Sequence, residues 1–270
     1  MIRSEGDRLT KVIVCSPRNE YFRANDLSAH NITALAERRL AIGQHTFLKN
    51  TIRSFGCEVI DLPELTDHPN SVFTRDTTLC TSTGYIRLRM GLTTRTGEEA
   101  WMAKALQSLG IEEVASIEAP ATVEGGNIIL AGEVAFIGQS SRTNAAGVQQ
   151  VSKILEIMGY EVRSAIVPPP FLHIGGAMSL VGSGHILCCS GIFSGGFFDG
   201  FHTTEIPNKM FISGNVINLG NNTVIADIAN QRAVLALEQA GIHVLTLDLS
   251  EFVKGTGGPS CLILPVDREV

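Results

Sequence analysis

The sequence predicts an α/β fold in which hairpin–helix–strand units stack around a common centre, a closed α/β propeller. Three observations predict it. Short apolar runs flank Gly/Asn/Ser turns at four places, the usual hairpin signal. Helical stretches with apolar residues at helical spacing follow three of those hairpins. Each helix ends near a glycine and runs into a further strand, so the unit returns about every 40 to 50 residues. Units of this kind cannot each bury their own apolar face, which favours closure around an axis. An ordinary mixed α/β sandwich is the alternative that the pattern alone leaves open.

The elements follow in order. KVIVCSP from Lys11 is strand-like, residues 34–55 read as a helix, and CEVIDL from Cys57 is a strand. LCTSTGYIRLR from Leu79 turns at Ser82, Thr83 and Gly84, and is followed by a helix over 97–109 and the strand IEEVASI. NIILAGEVAFIG from Asn127 turns at Ala131, Gly132 and Glu133, with a helix over 143–158 and the strand YEVRSAIV. MSLVGSGHILCC from Met178 turns at Gly182, Ser183 and Gly184, but a Gly- and Phe-rich stretch, SGIFSGGFFDGFHTTE, takes the place of a helix. That stretch, which contains residues 194–204, reads as a surface or lid segment. VINLGNNTVIAD from Val216 turns at Gly220, Asn221 and Asn222, with a helix over 230–240 and the strand IHVLTLD. CLILPV, opened by Cys261, is the last strand.

Composition narrows the function. Hydrophobic residues make up 44% of 270, enough for a sizeable core, so residues 1–270 are expected to form a single catalytic domain. A net charge of −6 argues against a nucleic-acid partner, which needs a basic face, and suits a cationic substrate. MIRSEGDRLTKVIV lacks the apolar stretch of a secretory signal, and no window is long and apolar enough to span a membrane. Six cysteines in mostly strand-like settings then read as reduced thiols of a cytoplasmic protein. No HExxH and no cysteine pair with zinc spacing is present, so no metal is expected. GTGGPS lacks the lysine of a phosphate loop, no GxGxxG opens a helix, and no GxSxG elbow occurs, so no nucleotide or other cofactor is expected.

Chemistry-capable residues recur at one place in the repeat, just before the first strand of a unit. Asp76, Glu124 and His173 precede hairpins, and Cys261 opens the last strand. Arranged around an axis, two acids, an imidazole and a thiol would converge at one end. Singly, each has an ordinary explanation: a packed cysteine, a structural histidine, a turn glutamate, a local ion pair. Their shared position in the repeat, and the Gly257-Gly258-Pro259-Ser260 run before Cys261, favour a site.

FTRDTT from Phe73, VEGGN from Val123, SSRTNAAGVQQ from Ser140, LHIGGAMS from Leu172 and GGPSCLIL from Gly257 resemble the guanidino-group-modifying enzymes. These comprise the dimethylarginine dimethylaminohydrolases, arginine deiminases and amidinotransferases. The resemblance spans nearly the whole chain, in order, and implies a five-bladed α/β propeller (pentein) of ββαβ units. It also implies Cys261 as nucleophile, His173 as general acid and base, and Glu124 as the carboxylate that orients the guanidinium. Asp76 would be a second carboxylate on that group with Phe73 packed against it, and Arg95 and Arg142 would hold the substrate carboxylate. Asn70 is a further substrate-binding candidate.

The expected partner is a small guanidino amino acid, with no nucleic acid and no membrane, and a homodimer is an open option. The substrate signals are mixed. Gly175 stands where deiminases and amidinotransferases usually carry an aspartate, which leaves room for N-alkyl groups. HPNSVFTRD instead resembles the deiminase and dihydrolase pattern, with Asn70 and Arg75 where dimethylarginine hydrolases tend to have acids. Dimethylarginine-type hydrolysis, arginine deimination or dihydrolysis, and amidino transfer are thus ranked in that order. A propeller with no catalytic role, like a ribosome-binding anti-association factor of similar shape, is the alternative of another class, and it would have no reason to keep Cys261, His173 and Glu124 together.

Overall fold

The computed structural model describes residues 2–270. The strands are β1 (Arg8–Cys15), β2 (Glu58–Leu62), β3 (Thr78–Cys80), β4 (Tyr85–Arg87), β5 (Glu113–Ser116), β6 (Ile128–Ala131), β7 (Val134–Gln139) and β8 (Glu161–Ile166). They continue with β9 (Met178–Gly182), β10 (His185–Cys189), β11 (His202–Ile206), β12 (Val216–Gly220), β13 (Thr223–Asp227), β14 (His243–Leu247) and β15 (Leu264–Glu269). The main helices are α1 (Arg38–Ser54), α2 (Glu98–Ser108), α3 (Ala145–Ile157) and α4 (Gln231–Gln239).

The strands form five three-stranded sheets: β15-β1-β2, β3-β4-β5, β6-β7-β8, β9-β10-β11 and β12-β13-β14. In each, the middle strand is antiparallel to the inner one and parallel to the outer one. The antiparallel pair needs only a tight turn. The parallel pair needs a crossover of a dozen or so residues, which a helix supplies in four of the five sheets. Gly132 and Gly184, both at positive φ, make two of those tight turns. Inner strands of neighbouring sheets pack on one another around the centre, for example β12 on β9 and β15 on β3. This is the five-bladed ββαβ propeller that the resemblance implies. One blade is closed by strands from opposite ends of the sequence, with Val12 paired to Pro265.

The helices lie close to their expected ranges, and their starts have local causes. α1 begins four residues later than expected because the Glu37 side chain accepts from the Arg39 and Leu40 amides and fixes the start. Asn144 caps α3 through the Gly147 amide at 2.8 Å. Between β10 and β11 there is no helix. Phe193, Phe197, Phe198 and Phe201 cluster there and pack on Phe136 of β7, covering the blade as a helix would. This segment is therefore a cover on the outside of the propeller, and none of its residues lines the cleft described next.

Cys261 corrects the sequence reading by three residues. It sits in a 3-10 turn, Pro259–Leu262, and the strand starts only at Leu264. A run such as CLILPV is apolar throughout, so its pattern cannot mark where the turn ends.

Candidate active site

Short 3-10 turns precede four of the inner strands, at Thr74–Asp76, Gly125–Asn127, Ile174–Gly176 and Pro259–Leu262. Asp76 and Cys261 lie in such turns, and Glu124 and His173 are the extended residues just before them. The turns interlock. A Cβ on Gly126 would stand 2.7 Å from His173 Cγ and 2.9 Å from Asp76 Oδ1, so only glycine lets the imidazole approach. A Cβ on Gly257 would lie 2.2 Å from the Phe73 ring, which holds that ring against the loop leading to Cys261.

The convergence expected of Asp76, Glu124, His173 and Cys261 is present. His173 Nε2 is 2.7 Å from Glu124 Oε2 and 3.6 Å from Asp76 Oδ1. Asn70, Phe73, Asp76, Arg95, Arg142, His173 and Cys261 together line a narrow cleft. Glu124 is fully buried beneath it, and its Oε1 accepts from the amides of Gly91 and Leu92 at 3.0 and 3.2 Å. Burial pushes the Glu124 carboxyl up, but the hydrogen bond from His173 and the charge of Arg142 outweigh it and hold the group well below the usual carboxylate range. Ligand atoms of Asp76, Glu124 and His173 lie within 4.8 Å of one another, close enough to share a cation.

Five of the six cysteines are buried, and Cys261 alone is partly accessible. Its Sγ accepts from the Gly258 amide at 3.4 Å. Burial and the Asp76 charge push the thiol up to about 11, against the Gly258 amide and the charges of Arg75 and Arg95. The thiol is thus predominantly neutral at pH 7.

Arg95 and Arg142, the residues expected to hold a substrate carboxylate, are both ion-paired with acids of the site. Arg95 Nη1 is 2.6 Å from Asp76 Oδ2, and its Nε and Nη2 bind Glu98 Oε2 at 2.9 and 2.7 Å. Arg142 Nη1 reaches both oxygens of Glu124, at 3.3 and 3.4 Å. The cause is burial: carboxylates this deep require paired charge. Arg75 faces away from the cleft, pairing with Glu5 and donating to the Ile128 carbonyl at 3.0 Å.

Three features escaped the sequence reading. Asn215, just before the inner strand of the fifth blade, donates to Cys261 Sγ at 3.9 Å and exchanges hydrogen bonds with Ser260. Glu98 grips Arg95 from behind. Residues 23–37 are tied to the cleft rim, with His30 Nδ1 3.2 Å from Asn70 Oδ1 and Asn31 donating to Thr256 Oγ1 at 2.9 Å. On the far side of Cys261 and His173 a second pocket runs past Gly175 and Asn215 toward Arg75 and Arg268.

A thiol, an imidazole and two acids at one end of a five-bladed ββαβ propeller define the guanidino-group-modifying class of enzymes. The model of the eukaryotic N,N dimethylarginine dimethylhydrolase family matches residues 14–195, and the arginine deiminase model matches 204–268. The chain belongs to the dimethylarginine dimethylaminohydrolase family and is a guanidino-group hydrolase. It is 32% identical over 224 residues to the N(G),N(G)-dimethylarginine dimethylaminohydrolase of Pseudomonas aeruginosa, covering 83% of this chain and 87% of that protein. The Streptomyces coelicolor enzyme of the same name is 25% identical over 247 residues, 88% of this chain and 91% of that one. Among solved structures, a cysteine-to-serine mutant of the Pseudomonas aeruginosa enzyme with citrulline superposes at a TM-score of 0.83, with 28% identity and coverage of 95% and 99%. The N-terminal domain of ArgZ, a cyanobacterial arginine dihydrolase, shares the fold at 0.81 and 20% identity, with coverage of 97% and 98%.

Proposed function

We propose that this enzyme hydrolyses an N-substituted arginine of the dimethylarginine type to citrulline and an amine, through a covalent thiouronium on Cys261. The observation that carries the substrate assignment is Gly175. A Cβ there would meet only the Gly126 carbonyl, at 3.2 Å, and the residue lines the chamber beside Cys261 and His173. An aspartate at this position would occupy the space that N-alkyl groups require.

In this reading the substrate guanidinium lies between Asp76 and Glu124, displacing Arg142 from Glu124 and sharing Asp76 with Arg95. Arg142, released from Glu124, turns its fork to the substrate carboxylate. Arg95, whose donors remain largely with Asp76, Glu98 and the Phe73 carbonyl, adds charge there. Asn70 and Phe73 form the remaining wall. Ionising a thiol pushed up to about 11 costs about 5 kcal/mol at pH 7 before solvent screening. A cation about 4 Å away at an effective dielectric near 20 offers about 4 kcal/mol. The bound substrate thus supplies most of what ionisation requires.

The thiolate adds to the central carbon. His173, as imidazolium, gives its proton to the leaving amine as the C–N bond breaks, leaving the thiouronium. The neutral imidazole then takes a proton from water, whose oxygen attacks the same carbon. The C–S bond breaks, the ureido product leaves, and the thiolate is restored. Glu124 holds His173 in orientation throughout, as the 2.7 Å contact supports.

A second reading is arginine dihydrolysis or deimination, favoured by Asn70, which lines the cleft where an acid would be expected for dimethylarginine. A panel of guanidino acids assayed for dimethylamine, ammonia and ornithine separates them. Dimethylamine from dimethylarginine, at a kcat/KM well above ammonia release from arginine, is expected; the reverse ratio rejects the first reading. The termini sharing one blade support a single catalytic domain, and six free cysteines support a reducing, cytoplasmic setting. Among the described residues no helix is long and apolar enough to cross a membrane.

A further inference from the structure

Glu98 takes no part in the reaction just described, yet it is fully buried in the first turn of α2. An acid in a helix's first turn ordinarily sits in solvent and complements the helix dipole. Here Glu99 caps the preceding Gly97 amide at 2.9 Å, which leaves the ordinary role taken. Glu98 Oε2 accepts both Nε and Nη2 of Arg95, while its Oε1 is buried with no hydrogen-bond partner among the described residues. An orphaned carboxylate oxygen is costly to bury. Arg95 reaches the other way to Asp76, whose Oδ1 faces His173. One guanidinium therefore stands between two acids, and only one of them borders the cleft.

We infer that Glu98 is a positioning residue that, acting through Arg95, sets how much negative charge Asp76 presents to the substrate cation. The inference rests on reading the cleft as a guanidinium site. With Glu98 ionised, Asp76, Arg95 and Glu98 carry a net negative charge that attracts a cation. With Glu98 neutral, Arg95 cancels Asp76 and the attraction weakens. The charged and titratable groups facing Glu98 are Arg95, His68 and Asp76, with the Cys15 thiol of β1 close by. His68 meets the Thr66 and Thr96 carbonyls through both ring nitrogens, at 2.8 and 3.1 Å, and these outweigh burial to push it up. Burial pushes the Glu98 carboxyl up, Arg95 and His68 oppose, and the group ends at about 7, where it can switch near neutrality.

The test compares alkylation of Cys261 by 2-chloroacetamidine, a cation, with that by neutral 2-chloroacetamide, in the intact protein and in Glu98→Gln and Glu98→Asp. Thiol ionisation is common to both reagents, so their rate ratio reads the pull on the cation. The unaltered protein should prefer the cation, and the preference should grow as pH rises through about 7. Glu98→Gln should lose roughly tenfold of that preference, the scale of one charge removed at an effective dielectric near 20. It should also raise KM for a guanidino substrate more than it lowers kcat, and Glu98→Asp should restore part of the ratio. An unaltered ratio in Glu98→Gln overturns the inference and leaves the guanidinium reading standing. If that variant does not fold, a ratio that stays flat through neutrality in the unaltered protein overturns it equally. No preference for the cation at any pH overturns the guanidinium reading and this inference with it.

Discussion

Cys261 is set apart from the other five thiols by access, and from Cys57 by access alone. Burial pushes Cys57 up to about 11 and Cys80 up to about 12, and Cys261 is no more acidic than Cys57. What sets it apart is an opening onto a cleft with acids that can receive a cation. Replacing that sulfur should therefore remove the chemistry and spare recognition. Cys261→Ser is expected to lower turnover by several orders of magnitude while calorimetry still detects substrate, because Asp76, Glu124 and Arg142 are untouched. Near-normal turnover in that variant would end the proposed mechanism.

Among the elements, the short turns ahead of the inner strands carry the site, and their close approach is the fragile part. Gly126→Ala would drive a methyl into His173 and Asp76, whereas Gly175→Ala meets a single carbonyl oxygen. The first should cost about 1–3 kcal/mol of stability by overpacking and lower kcat at least roughly tenfold; the second should leave the melting temperature nearly unchanged. Thermal melts and steady-state rates on the pair check this, and equal effects would deny that the interlocked turns position the imidazole. The same turns show what could be read from sequence. Hairpins announced themselves through turn chemistry, as at Gly132, and helices through spacing, so four blades and the places of Asp76, Glu124 and His173 were legible. Asn215 was not, because an asparagine before a strand reads as turn chemistry until its neighbour across the axis is known. Nor was Glu98: a Glu-Glu pair at a helix start is an ordinary dipole signal, and burial is decided by packing against other blades. The internal pairing of Arg95 and Arg142 likewise depends on which acids the fold brings near, something spacing does not encode.

For the molecule as a whole, the paired acids predict how stability responds to pH. Glu124 is held well below its ordinary value of 4.5, and Lys49 and Ser16 outweigh burial to lower Asp61 from 3.8. Groups whose folded values are depressed stabilise the protein above their unfolded values, and that contribution is lost as pH falls through the folded ones. Glu98, raised to about 7, acts oppositely: its burial weighs increasingly against folding from about 4.5 up to about 7. Melting temperature should accordingly fall as pH drops below about 4, and Glu124→Gln should flatten that acid limb. An acid limb unchanged in the variant would show that Glu124 does not contribute to it.

The blade that closes the propeller joins β1 to β15, the first strand to the last. A ribosome adding roughly 5–20 residues per second needs on the order of 10–50 s to make everything between them. For that interval each nascent chain exposes one side of β1 as an unpaired edge, the kind of surface on which strands of separate molecules add to one another. Cys261, the proposed nucleophile, arrives just ahead of the strand that seals this edge. Protection of that edge and placement of Cys261 beside the other site residues should therefore come within moments of each other, once β15 has been made.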